Sequence, residues 1–249
     1  MSAEKINVGF VFTNNQGSKA VVVDYINSNK VLIEFDDEFK YRVHVRASQI
    51  RSRCPKNPYH PTYYDVGYIG VGEHKYLSGA KNSRSMIAWR NMLKRCYGEN
   101  SREESQTYAD CTVHPDWHNY QVFSDWFHAQ KKEDGWALDK DLMIIGNRVY
   151  SAETCSMVPP QINTLLNDSA AARGLYPVGV NKIDGRYAAR VQHGQYRKYL
   201  GVFSTQEEAF HVYKKAKERR VKEMANIYKE VLHPQIYENL ISYSVEITD

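Results

Sequence analysis

The sequence predicts an α+β protein of three modules: a small N-terminal β-barrel, a middle of the order strand, turn, strand, helix, and a small C-terminal sheet packed on a helix. Three observations predict it. Short β-rich runs alternate with turn signals up to Ser52. Apolar residues at helical spacing follow in the middle of the chain. After Ala172 a strand pattern gives way to a capped apolar helical stripe. Mixed but segregated periodicities of this kind are what an α+β chain requires.

In the first module, 1–53, Val8, Phe10 and Phe12 alternate with small or polar residues, and Asn14-Asn15-Gln16-Gly17 reads as a turn. Ala20–Tyr25 and Val31–Phe35 are the next strands, separated by a turn at Asn27-Ser28-Asn29. Asp36-Asp37 breaks the run and Tyr41–Val45 resumes it. Short runs with turns between them read as a small barrel or meander. The pattern is similar to Tudor- and KOW-type barrels, which serve as nucleic-acid modules, peptide modules or scaffolding alike.

Residues 54–82 carry Pro55, Pro58, Pro61, Gly67, Gly70 and Gly72 and read as an extended linker. Its Tyr59, Tyr63 and Tyr64 either stack on bases or pack the linker onto its neighbours. The middle module, 83–168, opens with Met86, Trp89, Leu93 and Cys96 at helical spacing, with Arg90, Lys94 and Arg95 outside. Phe123, Trp126 and Phe127 mark a second helix. Trp136–Asp141 is a strand entering a turn, and Arg148–Tyr150 with Cys155–Val158 form a second extended piece. Pro159-Pro160 opens a short helix over Gln161–Leu166, since proline is tolerated in a first turn.

In 172–230, Tyr187, Ala189 and Val191 alternate with Arg186, Ala188, Arg190 and Gln192. His193-Gly194-Gln195 reads as a hairpin turn and Tyr196–Phe203 as the returning strand. Thr205-Gln-Glu-Glu208 is a capping box, followed by the stripe Ala209, Val212, Tyr213, Ala216. The sheet buries one face on that helix and leaves Arg186, Arg190, Gln192, Arg197 and Tyr199 on the open one. The tail, 231–249, offers Tyr237, Leu240, Ile241 and Tyr243 for docking on a neighbouring module.

Composition bounds the function. No apolar run approaches a membrane span and the first residues lack a signal-peptide pattern, so a soluble, intracellular protein without membrane contact is expected. Cys54, Cys96, Cys111 and Cys155 form no C-x-x-C pair, which removes paired-cysteine zinc fingers and leaves only a scattered zinc site from Cys96, Cys111, Cys155 and His114. From Ala172 to Glu230 there are 13 Lys and Arg against 6 Asp and Glu, a net +7 in a chain whose total is +4. A basic segment on a slightly acidic remainder is the footprint of a polyanion binder, although Lys214, Lys215, Lys217, Arg219, Arg220 and Lys222 also fit a solvated helix face. A small sheet fits the major groove of B-DNA, where arginine forks take guanine edges or phosphates. Double-stranded DNA is therefore the expected partner.

Two resemblances sharpen this. Val178-Gly-Val180, Gly185-Arg-Tyr-Ala-Ala-Arg-Val191, Arg197-Lys-Tyr-Leu-Gly-Val-Phe203 and Glu207-Glu-Ala209 followed by Tyr213 resemble the Apetala/ethylene-response-factor DNA-binding domain over about a quarter of the chain. The resemblance implies a three-stranded sheet in the major groove, with Asn181, Arg190, Gln192, Arg197 and Tyr199 in contact positions; Lys182 and Arg186 join them in the expected DNA-binding set. Asn181, Arg190, Gln192 and Tyr199 depart from the arginines and tryptophans of plant members, so no target sequence is inherited.

Trp89-x-x-Met92-x-x-Arg95-Cys96, Cys111 with Trp117, Leu138-Asp-Lys-Asp141, Asn147, Tyr150-Ser-x-Glu-x-Cys155 and Val158-Pro159 resemble phage and bacterial HNH-type homing endonucleases, which often carry an Apetala-like domain behind the nuclease. That likeness implies phage or mobile-element origin and a host-cytoplasmic location. It also implies a histidine that activates water and a helix residue that helps hold one divalent metal. Here Asp139 stands in the histidine slot and Thr154 in the middle asparagine slot, while the helix offers Asn163. In one reading Asp139, Asp141 and Asn163 are catalytic, with Mg2+ on Asp139 and Asn163, and His114, His118 or His128 replaces the missing base. In the other the module is a degenerate HNH-like scaffold and the chain only binds DNA. Asp139 and Asp141 leave opposite faces of a strand unless the chain bends between them. A third reading is a phage regulator that contacts a host protein through the N-terminal barrel.

Overall fold

The computed structural model describes residues 5–78, 81–99, 110–130, 133–166, 176–193 and 196–247. The expected turn at Gly194-Gln195, the start of the C-terminal module at Ala172 and the end of the middle module past Leu166 lie outside the described residues. Helices and small sheets mix in one chain, an α+β architecture. Among the described residues no helix is long and apolar enough to cross a membrane. The chain divides into two compact units, Met1–His128 and Ala129–Asp249, so the boundary falls inside 83–168.

The first unit opens with strands β1 (Val11–Thr13), β2 (Lys19–Asn27), β3 (Lys30–Phe35) and β4 (Arg42–Val45), paired antiparallel in that order. The first strand begins later than the alternation suggested. Gly9 takes φ +88° in a turn, and Val8 is exposed. Among the described pairings β1 and β4 do not meet, so the sheet is an open meander and not a closed barrel. Closure needs edge strands long enough to pair at a fixed stagger. These have three and four residues. Helix α1 (Ala47–Arg51) instead contributes Ala47 and Ile50 to the core of Phe12, Val22, Ile33 and Phe35.

Residues 54–76 pack along the rest of this unit rather than spanning a gap. Asn14 donates its side-chain amide to the Pro55 carbonyl, and Asn57 is buried and takes the Gln16 side-chain oxygen on its backbone N–H. Tyr59 stacks on Phe39 with ring centroids 4.3 Å apart. Tyr63 meets Trp89 edge-on at 5.1 Å. The Tyr68 N–H donates to the His118 carbonyl and the Tyr68 carbonyl accepts from Tyr120 N. Tyr59 and Tyr63 are thus held by packing, the second of the two roles read for them.

Short strands β5 (Leu77–Ser78) and β6 (Lys81–Asn82) lead to α2 (Arg84–Tyr97). Ser83 caps α2 by accepting from Met86 N at 3.2 Å, and Met86, Trp89, Met92, Leu93 and Cys96 are buried. After strand β7 (Thr112–Val113) comes α3 (Tyr120–Ala129), which buries Tyr120, Phe123 and Phe127. The 3.6-residue periodicity of both helices is the reason one stripe is dry and the other wet.

The second unit contains β8 (Ala137–Asp139), β9 (Val149–Tyr150), β10 (Ser156–Val158) and α4 (Pro160–Asn163). Strand β10 pairs antiparallel with β8, with Ser156 opposite Asp139. The C-terminal sheet is β11 (Val180–Ile183), β12 (Arg186–His193) and β13 (Tyr196–Phe203), in that order and antiparallel. Asp184 and Gly185 both take positive φ (47° and 79°), as a two-residue hairpin turn with right-handed strand twist demands. Helix α5 (Gln206–Ile227) starts on the expected capping box: Thr205 Oγ1 accepts from Glu208 N and Glu208 Oε2 accepts from Thr205 N.

Two cores share α5. Its first turns set Ala209, Phe210 and Tyr213 against Val178, Val180, Ala189 and Val191 of the sheet. Its last turns set Val221, Met224 and Ala225 against Leu142, Val158 and Ile162. Helix α6 (Pro234–Ile241) closes the second core with Ile236 and Leu240, and Val245 of the tail joins the first. The tail is thus built into the unit.

Candidate nucleic-acid interface

Strand pairing decides which side chains share a face, because directly paired residues point the same way and neighbours along a strand point oppositely. On β12, Arg186, Ala188, Arg190 and Gln192 form one set. Their partners are Ile183 opposite Arg186, Asn181 and Val202 opposite Ala188, Tyr199 opposite Arg190, and Arg197 opposite Gln192. A register shift at Ala189/Arg190 leaves Leu200 as the extra residue on β13. That shift keeps Tyr199 beside Arg190 while Leu200 packs into the core against α5. The open face therefore carries six of the seven expected contact residues: Asn181, Arg186, Arg190, Gln192, Arg197 and Tyr199.

Lys182 is not among them. It pairs with Tyr187, whose ring packs into the core on the α5 side. It alternates with Asn181, so it leaves from the opposite surface at the sheet's edge. Sequence reasoning also missed Ile183 and Val202, which share the open face, Ile183 being exposed and Val202 half-buried. Strand parity would have found Ile183. Val202 needed the register shift, whose one sign in the sequence is Gly201 inside the strand, at φ +136° beside the extra residue.

The face is electrostatically one-sided. From Tyr176 to Phe203 the sequence holds five Lys and Arg and a single acid, Asp184, which sits in the β11–β12 turn. Among the described residues the guanidinium groups of Arg186, Arg190 and Arg197 have no acidic or hydrogen-bonding partner. Tyr199 is 56% exposed, a large aromatic ring left in water. Helix α5 differs: Lys214 pairs with Glu218 at 3.2 Å, and Arg219 and Arg220 both reach Glu223. Much of the helix charge is thus neutralised within the helix, and the sheet charge is not. Three strands at about 4.8 Å spacing span about 10 Å between outer axes, comparable to the roughly 12 Å major groove.

The residues expected around a metal sit elsewhere in the second unit. The chain does bend after Asp139: its Oδ1 accepts from Asp141 N at 2.9 Å and Leu142 N at 2.7 Å. Burial pushes the Asp139 carboxyl above its ordinary value, against the two backbone N–H groups that lower it. Asp141 stays half-exposed and takes the Lys140 ammonium at 2.6 Å. That ammonium is only 4% exposed, donates also to the Asn147 carbonyl at 2.9 Å, and lies over the Tyr150 ring. Asn163 ends α4, with its N–H on the Pro159 carbonyl.

These groups do not fit a divalent cation. One oxygen of Asp139 is held by two backbone donors, and a fixed positive charge already occupies Asp141. Among the described residues no three His, Cys, Asp or Glu side chains converge as metal ligands, the scattered zinc set included. Burial also pushes the Cys155 thiol up to about 12. The three candidate histidines have local roles. His114 accepts from Asp116 N, burial lowers the pKa of His118 beside Tyr97, and His128 stacks on His74.

Asp139 is therefore expected to act on stability, with a definite sign. An acid whose folded pKa is raised contributes favourably below its unfolded value, and that contribution is lost as pH rises through the folded value. Asp139→Asn keeps an oxygen for both N–H groups and sheds the buried charge. Its melting temperature should exceed the parent's at pH 7, and the gap should close as pH falls through the carboxyl's titration. Asp139→Ala orphans two backbone donors and should cost about 1–3 kcal/mol. Thermal melts across pH check both, and an Asn variant less stable than the parent at pH 7 rules the account out.

Comparison with known protein families, with curated proteins and with solved structures gives no match to this chain.

Proposed function

We propose that this chain binds double-stranded DNA through the open face of β11–β13 and does not cut it. The observation that carries the reading is the set Arg186, Arg190 and Arg197 on one sheet face without an acidic partner among the described residues. Folding alone gives no reason to hold three cations together. A duplex does, because each phosphate neutralised releases condensed counterions. Arginine and glutamine reach base edges, the exposed Tyr199 packs on sugars or thymine methyls, and Ile183 adds an apolar contact. The Asp139–Asp141 hairpin reads as a degenerate HNH-like scaffold, its carboxylates satisfied by backbone N–H groups and by Lys140.

Supercoiled plasmid incubated with the protein and Mg2+, Mn2+ or chelator tests both halves on one gel. The expected result is a band shift that weakens steeply with salt, is indifferent to chelator and leaves the plasmid supercoiled. Metal-dependent nicking abolished by Asp139→Ala would make the chain an endonuclease, and the absence of any shift at low salt would remove DNA binding.

A further inference from the structure

We infer that helix α2, in the unit Met1–His128 that does not contain β11–β13, is a second contact for the phosphate backbone of duplex DNA, so that the chain holds DNA at two places. The inference rests on the DNA-binding reading above but on different residues. Between Glu73 and Glu99 the sequence holds six Lys and Arg and no Asp or Glu. Four of the six lie on α2, which has no acidic residue in its first turn and Lys94 and Arg95 in its last.

Rotation of about 100° per residue puts Arg84, Ile87, Asn91 and Lys94 in one line with Arg90 beside it. All five are exposed, and the opposite stripe of Met86, Trp89, Leu93 and Cys96 is buried. The line is about 15 Å long at about 1.5 Å per residue, a length over which a duplex presents about nine negative charges. Among the described residues Arg90 and Lys94 have no ion-pair partner.

Arg90 is also held in place for use. Its guanidinium lies 5.7 Å from the centroid of Tyr63, and Tyr63 is braced edge-on by Trp89. A guanidinium stacked on a ring keeps its in-plane N–H donors free and loses little further entropy on meeting a phosphate. A solvated helix face needs neither this platform nor the exclusion of acids over so long a stretch.

The test uses the full chain and a fluorescent duplex, with affinity read by anisotropy over a series of salt concentrations. Arg90→Gln/Lys94→Gln is expected to reduce the slope of log K against log salt by about 1.8, that is about 0.9 for each phosphate that the helix no longer neutralises. The effect should be the same for unrelated duplex sequences, with at most a small drop in melting temperature, since both side chains are exposed and only the Arg90–Tyr63 contact is lost. Arg90→Lys/Lys94→Arg should restore the slope. A parent-like slope in the Gln variant, while the parent binds and the sheet variant Arg190→Gln/Arg197→Gln does not, overturns the inference and leaves the sheet reading standing. No binding by the parent overturns both. Binding of polyglutamate that needs Arg90 and Lys94, with an unchanged DNA slope, reassigns α2 to an acidic protein partner and also overturns it.

Discussion

Arg190→Ala/Arg197→Ala is expected to lower duplex affinity by about two orders of magnitude at fixed salt, because it removes two arginine contacts worth about 1–3 kcal/mol each. The two positions are separable from stability. Arg190 is flanked across the strand by Tyr199 and Arg197 by Gln192, and neither arginine has an acidic partner among the described residues. Replacing them removes like-charge repulsion and leaves no buried group unpaired. The variant should therefore melt within about 0.5 kcal/mol of the parent. Lys198→Ala is the matched control: it removes one charge from the same strand, but Lys198 pairs with Val191 and so leaves from the other face. Anisotropy titrations with all three proteins decide the matter. Parent-like affinity in the folded double variant removes the sheet face from the interface, whatever else in the chain binds DNA.

The parts of this fold that could be read in the sequence are those where one local rule acts alone. Thr205 and Glu208 satisfy each other's orphan donors within four residues, so the start of α5 is visible without knowing what it packs on. The stripe Met86, Trp89, Leu93, Cys96 needs only the helical period. The turns at Asn14–Gly17 and Ser28–Asn29 need only side chains that bond their own backbone, as Asn14 does to Gln16 N and Ser18 N.

What could not be read depends on residues far apart in the chain. The proline- and glycine-rich stretch after Cys54 looks like a linker because its order comes from elsewhere: Tyr59 from Phe39, Tyr68 from His118 and Tyr120. The N-terminal strands announce a sheet but not whether its edges meet. At the sheet face, parity placed Arg186, Arg190 and Gln192 together, and the same parity excludes Lys182 once the β11–β12 register is known. The extra residue at Leu200 resets the alternation of β13, so Tyr199 and Val202 share a face although they lie three apart. The Asp139–Asp141 spacing allowed a shared metal or none. The deciding group is the intervening Lys140, which is buried and turned onto Asp141.

The largest loss of stability is expected from Gly179→Ala, and the reason shows how the proposed DNA-binding face depends on its hidden side. Gly179 has φ +75°, where a side chain costs about 1 kcal/mol, and a methyl group built there would lie 2.1 Å from the Tyr213 ring. Tyr213 is 3% exposed and packed among Val180, Ala189, Val191, Ala209 and Phe210, so the ring has nowhere to retreat. Overpacking of this kind costs about 1–3 kcal/mol, which brings the total to about 2–4 kcal/mol. The damage falls where the sheet meets the first turns of α5. The core around Val221, Met224 and Ala225 lies two to three helical turns away and should outlast it. Apparent DNA affinity should then fall in proportion to the population whose sheet is still docked, although no side chain of the open face has changed. Adding Tyr213→Ala tests the cause, because the cavity it opens is where the new methyl must go. The two substitutions together should cost less than the sum of each alone, by an interaction energy of about 1 kcal/mol or more. Strict additivity in urea unfolding would mean that the Gly179–Tyr213 approach is not the source of the strain, and the requirement for glycine would then lie in its backbone conformation alone.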